Sequence, residues 1–174
     1  AGASNTSALA FGGGVPSGPE KTATTETWNG SSWTEVADLN TARGNLIGIG
    51  KTNTAALAVG GDPPGRLNEQ WNGSSWTELG DMNTAKSGGA GAGTYTSAVA
   101  FAGASALAIN ESWNGSAWTE VGDLSQGRKG LAGAGASNAS ALAFGGLNES
   151  ADTVFNDTEE WTSPVTNTVT FTAS

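Results

Sequence analysis

Apolar positions along this chain come in short bursts rather than long runs. Four of them read A-L-A-F, A-L-A-V, A-V-A-F and A-L-A-F, at residues 8–11, 56–59, 98–101 and 141–144. Each is four residues of small and large side chains in alternation, closed within two residues by glycine. Alternation with a period of two, bounded by Gly and Asn, predicts short strands. No window holds the 3.6-residue period of an amphipathic helix, and glycine recurs too often for one. The chain is therefore expected to be all-β.

The bursts belong to a longer pattern that repeats. W-N-G-S-[SA]-W-T-E-[VL] begins at Trp28, Trp71 and Trp113, with a degenerate copy at Trp161. The segments N-T-A-R, N-T-A-K and S-Q-G-R, at residues 40–43, 83–86 and 125–128, lead into stretches of Gly and Ala. Three motifs in one order at one spacing define an internal repeat, which is sought before any other signal. Each repeat reads as four strands: the Gly/Ala stretch, the apolar burst, a strand ending in the first Trp, and one starting at the second Trp. Asn-Gly between the two Trp, as at Asn29 and Gly30, predicts a tight hairpin with positive φ at both central residues. A four-stranded unit of this length in tandem is the signature of a propeller blade. The expectation is a single domain over residues 1–174, a β-propeller of four blades at about 1–40, 41–83, 84–125 and 126–174. The alternative is a fragment of a larger propeller, since the chain starts at Ala1 in mid-strand rather than at Met. Val165, Val169 and Phe171 alternate with Thr, so residues 165–173 are expected to form a last strand. In a small ring the innermost strands converge on the axis, and strands of Gly and Ala suit that crowding.

Composition then narrows the chemistry. Leu, Ile, Val and Phe make up only 27 of 174 residues, a fraction typical of disordered chains. Seven Trp in regular register argue the opposite. There is no Cys and no His, which excludes disulfides, thiol nucleophiles, zinc–thiolate sites and every His-dependent catalytic device. The net charge of −9 argues against nucleic acid and anionic membranes as partners. No apolar run has the length of a membrane helix.

The repeat resembles the kelch repeat. Gly12-Gly13, Gly60-Gly61 and Gly145-Gly146 stand where the kelch double glycine would be. Glu26, Glu69, Glu111 and Glu159 each precede the first aromatic by two residues. W-T-E-V-A-D-L-N-T-A-R at residues 33–43 matches the kelch stretch from the second Trp to the basic residue. The first aromatic is Trp rather than Tyr, and the hairpin is shorter than in kelch. Near-identity of the copies also makes the chain similar to repetitive virion and tail proteins of marine bacteriophages. These resemblances imply a kelch-like propeller used for interaction, in a virion or outside the cell. They imply other virion proteins, or a host-surface receptor or glycan, as partners.

Candidate residues fall into two groups. Trp28, Trp33, Trp71, Trp76, Trp113, Trp118 and Trp161 read as the core between blades, being the main apolar mass of each repeat. Glu26, Glu69 and Glu111 read as partners of Arg43, Lys86 and Arg128, or as caps of backbone groups between blades. Glu35, Glu78 and Glu120, with Asp38, Asp81 and Asp123, recur at equivalent places. Equivalent acids in equivalent settings do not make the unequal pair that acid–base catalysis needs. The unrepeated loops at 14–25, 62–68, 104–110 and 147–158 carry the individual charges. Of these, Glu20, Lys21, Asp62, Arg66, Asp152 and Asp157 are the candidate partner-binding residues, because function concentrates on loops held by a scaffold. No catalytic residue, metal site or cofactor is expected. The reading is a non-enzymatic structural or adhesive module, with a carbohydrate-binding propeller lectin as the alternative.

Overall fold

The structure is a computed structural model, and it describes residues 1–14, 20–62, 65–103, 107–148 and 152–163. The chain is all-β in these residues. A first sheet holds β1 (Gly2–Ser4), β2 (Ser7–Gly14), β3 (Lys21–Trp28) and β4 (Trp33–Val36) in sequence order. A second holds β5 (Ile47–Thr52), β6 (Ala55–Val59), β7 (Asn68–Trp71) and β8 (Trp76–Glu78). A third holds β9 (Ala90–Thr94), β10 (Ser97–Gly103), β11 (Leu107–Trp113) and β12 (Trp118–Val121). The fourth pairs β13 (Ala132–Ser137) with β14 (Ser140–Phe144) and, past a small hairpin, with β17 (Thr158–Thr162). That hairpin consists of β15 (Leu147–Asn148) and β16 (Thr153–Val154). All pairings are antiparallel meanders. The last strand expected from the sequence, at 165–173, lies outside the described residues.

Register places the repeated residues in repeated positions. Trp28 faces Trp33, Trp71 faces Trp76 and Trp113 faces Trp118 across their hairpins, with ring centroids 5.3–5.5 Å apart. The turn between them differs from the sequence expectation. Four residues, not two, separate the paired Trp, and positive φ occurs at Gly30, Gly73 and Gly115 but not at the Asn before them. The Asn side chain does the turning instead. Asn29 Oδ1 accepts from the backbone N–H of Ser31 (2.9 Å) and of Ser32 (3.1 Å), and Asn72 and Asn114 repeat the pattern. Asn is well suited to such local bonding to the backbone two or three residues on.

The core lies between sheets, not within them. One cluster joins Leu9 and Leu39 to Ala56, Ala58, Trp71 and Trp76. A second joins Ile47, Ile49, Leu57, Val59 and Met82 to Ala98, Ala100, Trp113 and Trp118. A third joins Val99, Phe101 and Leu124 to Ala141 and Ala143, with Trp161 at its border. Each sheet thus offers small Ala residues on one face to the large side chains of its neighbour. The first strands pack in series, β1 on β5, β5 on β9 and β9 on β13, while β1 and β13 at the two ends have no comparable packing. The described residues form no closed ring.

Convergence of the first strands explains their composition. A Cβ at Gly91 would come within 2.6 Å of the Ile49 side chain, and one at Gly133 within 2.8 Å of the Gly91 carbonyl oxygen. The second clash is with backbone, which has no rotamer to yield. Gly133→Ala should therefore destabilise the chain by about 1–3 kcal/mol, the range for overpacking. Gly80→Ala, whose new methyl would sit 3.7 Å from its nearest neighbour, should stay within about 0.5 kcal/mol of wild type. Urea unfolding of the two variants makes the comparison, and equal midpoints would mean that the crowding is relieved elsewhere.

Candidate functional site

The sheets have two chemically different ends. At one end, the tips of the second strands meet the connections that lead from one sheet to the next. Gly13, Gly61 and Gly103 donate their N–H groups to the carbonyls of Arg43 (2.8 Å), Lys86 (2.9 Å) and Arg128 (3.2 Å). The unrepeated loops between second and third strands share this end. At the other end, the first-strand turns meet the Trp hairpins. Trp28, Trp71, Trp113 and Trp161 each donate Nε1–H to a turn carbonyl, of Asn5, Asn53, Tyr95 and Asn138, at 2.9–3.0 Å. Repetition is nearly complete at the Trp end and broken at the loop end.

The basic residue of each connection is buried in the sheet that follows. Arg43 leaves the first sheet and donates to the carbonyls of Gly60 (2.6 Å) and Leu67 (3.1 Å) and to Glu69 Oε1 (2.8 Å) in the second. Lys86 donates to the Ile109 carbonyl at 2.6 Å, with Glu111 at 3.9 Å. Arg128 binds Asp157 through both terminal nitrogens (3.0 and 3.1 Å), bonds Glu159, and lies 4.4 Å from the centre of the Phe155 ring. Arg43, Lys86, Arg128, Glu69 and Glu111 are all essentially inaccessible to solvent. Burial pushes the Arg43 and Lys86 cations below their ordinary pKa, and the facing glutamates oppose that push. The pairing expected from sequence is thus displaced by one repeat: Arg43 serves Glu69, not Glu26. The same acids cap the chain, since the Asn40 and Asn83 N–H groups donate to Glu69 (2.7 Å) and Glu111 (2.8 Å). Glu26 is exposed and has no such cation among the described residues.

These pairs also neutralise like charges. Glu69 faces Glu78 and Glu111 faces Glu120 directly across strands, an arrangement that repels unless a cation lies between. Glu35, Glu78, Glu120, Asp38, Asp81 and Asp123 are all exposed. Among the described residues no group of three or more His, Cys, Asp or Glu is disposed to hold a metal ion.

The Trp divide by position in the series. Trp71, Trp113, Trp76 and Trp118 are buried, and Trp28 and Trp161 are half-buried. Trp33 departs from the expected core role and is 47% exposed. Trp76, its equivalent, packs edge-on to Phe11 of the preceding sheet at 4.9 Å and donates to Thr25 Oγ1 at 3.0 Å. Among the described residues no sheet packs against Trp33 in that way.

The loop-end charges also divide. Asp62 accepts from the Asn45 amide and the Ser87 hydroxyl, and lies 3.6 Å from Lys21. The Ser87 bond, then those of Asn45 and Lys21, holds its carboxyl below the usual carboxylate range. Arg128 does the same for Asp157. Lys21, Asp62 and Asp157 therefore tie sheets and loops together. Glu20, Arg66 and Asp152 are exposed, although Arg66 Nε donates to the Met82 carbonyl at 2.7 Å. A cavity of about 350 Å³ opens between the first strands, lined by Gly48, Lys51, Gly91, Ala92, Gly133, Ala134 and their neighbours. Its wall is mostly backbone and small side chains, with Lys51 as its charged side chain.

Position in the series sets what each Trp and each ion pair is worth. Trp76→Ala should cost about 3–5 kcal/mol, and Trp33→Ala less than about 1 kcal/mol. Chemical denaturation at one pH checks the pair, and equal losses would place Trp33 in a buried seam. Glu69→Gln leaves the Arg43 cation buried without its counter-charge and should cost about 3–5 kcal/mol, while Arg43→Met with Glu69→Met should lose less than the sum of the single changes. A double-mutant cycle measures this, and strict additivity would show that the two groups do not interact.

No family model and no curated protein matches this chain. Among solved structures it is similar to the one described as the structure of YjhT, with a TM-score of 0.69 at 15% identity. The match covers 85% of this chain and 51% of that one, so this chain spans about half the length of the protein it resembles. At that identity the likeness supports an all-β fold of successive antiparallel sheets and carries no activity with it.

Proposed function

We propose that the four sheets are consecutive kelch-like blades of a propeller, and that the chain is a non-enzymatic structural or adhesive module presenting its loop end to a partner. The observation that carries this reading is the contrast between the two ends. Repeated polar residues are consumed by the scaffold: Arg43, Lys86 and Arg128 in the next sheet, and Asn29, Asn72 and Asn114 in their own turns. The unrepeated charges sit on loops that differ from repeat to repeat, with Glu20 and Asp152 in solvent and Arg66 exposed there too while its Nε holds the Met82 carbonyl. A rigid frame with individual loops at one end is the usual architecture of a binding surface. The open series of first strands, and the span of half a longer protein's fold, favour a ring of more than four blades. A place in a bacteriophage particle rests on the near-identity of the repeats. On that reading the partner is a virion protein or a receptor on the host surface.

Binding to bacterial cell-envelope fractions and to immobilised glycans tests the proposal. The combined variant Glu20→Ala, Arg66→Ala and Asp152→Ala should stay folded, with its melt lowered by no more than the loss of the Arg66–Met82 hydrogen bond, and lose at least tenfold in binding, about 1.4 kcal/mol. Retention on defined glycans would identify the adhesion target as carbohydrate. Binding that survives the triple variant but fails when Asn29, Asn72 and Asn114 are changed would move the surface to the opposite end and overturn the proposal.

A further inference from the structure

The two outer faces of the series are complementary halves of one seam. In the seam between first and second sheets, Ser7 Oγ donates to Asn53 Oδ1 (3.0 Å) and accepts from the Asn53 N–H (3.1 Å). Above it, Phe11 meets the Trp76 ring, and Trp76 Nε1 donates to Thr25. The seam between third and fourth sheets repeats the first contact with Ser97 and Asn138, at 2.8 and 3.1 Å. In the middle seam both members change together, to Ala55 and Tyr95. At this position the seams are matched pairs, and a mismatch would strand a polar side chain; at the place of the Trp76–Thr25 bond the middle seam leaves Trp118 Nε1 and Asn68 Oδ1 buried without a hydrogen-bond partner.

The free face of the fourth sheet carries Ser140, Phe144 and Thr158 at the places of Ser7, Phe11 and Thr25. The free face of the first sheet carries Asn5 and Trp33 at the places of Asn53 and Trp76. The first seam can therefore be rebuilt residue for residue between these two faces, in its Ser–Asn version and not its Ala–Tyr version. Among the described residues no sheet covers either face. Trp33 is 47% exposed, Leu142 40% and Phe144 39%, whereas Ala56, Leu57 and Val59 at covered positions are 0% exposed. Ala10, equivalent to the fully buried Ala58 and Ala100, is exposed as well.

We propose that a second copy of this chain docks head to tail, its first sheet seated on the fourth sheet of its neighbour, with Trp33 against Phe144 and Thr158 and Asn5 against Ser140. The contact is heterologous, so each copy keeps one free face at either end and its products are rings or filaments. One element of the internal seams is missing. Residues 130–174 hold no Lys or Arg, so this stretch of the fourth repeat offers no cation to Glu26 of the next copy. The junction therefore lacks the buried ion pair of the internal seams, and the assembly is expected to be reversible and concentration-dependent.

Sedimentation velocity between about 1 μM and about 1 mM tests the proposal. The wild type should grow with concentration, and Trp33→Lys and Phe144→Lys should each be monomeric with wild-type melts, since both side chains are exposed in the single chain. Mixing these two variants is the decisive step. Each retains one intact face, so the mixture should give a one-to-one dimer and nothing larger. Asn5→Arg and Leu142→Lys form a second pair, should either first variant fold poorly. A wild type that stays monomeric throughout, or a mixture without dimer, would overturn the proposal; the latter is the mark of a symmetric interface.

Discussion

Between one sheet and the next, a single basic side chain leaves the connection and becomes buried in the following sheet. There it is met by a glutamate and by backbone carbonyls, several for Arg43 and one for Lys86. This contact organises much else. It gives Glu69 and Glu111 a reason to stand opposite Glu78 and Glu120, and it anchors the connection so that the first strands fall into series. A buried ion pair is weak evidence for stability in itself, because desolvating both charges offsets most of their attraction. Its contribution here is geometric. Arg43 donates to four groups of the second sheet at once, the carbonyls of Ala58, Gly60 and Leu67 and the Glu69 carboxylate, and a rigid fork held at several points restricts how the two sheets can meet. Lys86 does the same task with a point charge, bonding one carbonyl and standing farther from its acid.

Around that contact the packing is a division of labour between faces. Ala56, Ala58, Ala98 and Ala100 make one side of a sheet nearly flat, so that Leu, Phe and Trp of a neighbour lie against it. A chain poor in large aliphatic residues thereby obtains three small cores. Tryptophan adds a large apolar side chain to each core, and the indole N–H groups of the buried Trp71 and Trp113 find turn carbonyls at the sheet edge, whereas the buried Trp118 Nε1 has no hydrogen-bond partner among the described residues.

Local features of this fold were legible in the sequence because they depend on a residue and its near neighbours. The alternation at residues 8–11 and its copies gave strands where β2, β6, β10 and β14 stand. The Gly and Ala stretches gave close approach where Gly91 and Gly133 meet their neighbours. Features set between repeats were hidden. All repeats look alike along the chain, so spacing alone does not say whether Arg43 turns back to Glu26 or forward to Glu69. Trp33 has the same local sequence as Trp76, and its exposure reflects that no sheet packs against it among the described residues. The turn at Asn29 departs from its sequence expectation for a related reason. Asn-Gly suggests a two-residue loop, but pairing of the Trp sets four, and the Asn side chain then bonds the backbone that a tighter turn would have reversed. At the loop end, Asp62 and Asp157 looked like solvent-facing charges, and long-range partners, Ser87 and Arg128, make them ties.

The forward reach of the basic residue gives the chain a polarity that bears on its history. Each period of about forty residues carries one half of the seam behind it and one half of the seam ahead. Loss or duplication of a whole period, at whatever phase it is cut, therefore joins a matching front to a matching back, and no compensating change is needed elsewhere. The number of units is then free to vary by recombination between near-identical copies. The paired exchange of Ser and Asn for Ala and Tyr in the middle seam is the exception, since it makes that junction distinguishable from its neighbours and penalises a crossover that separates the two residues.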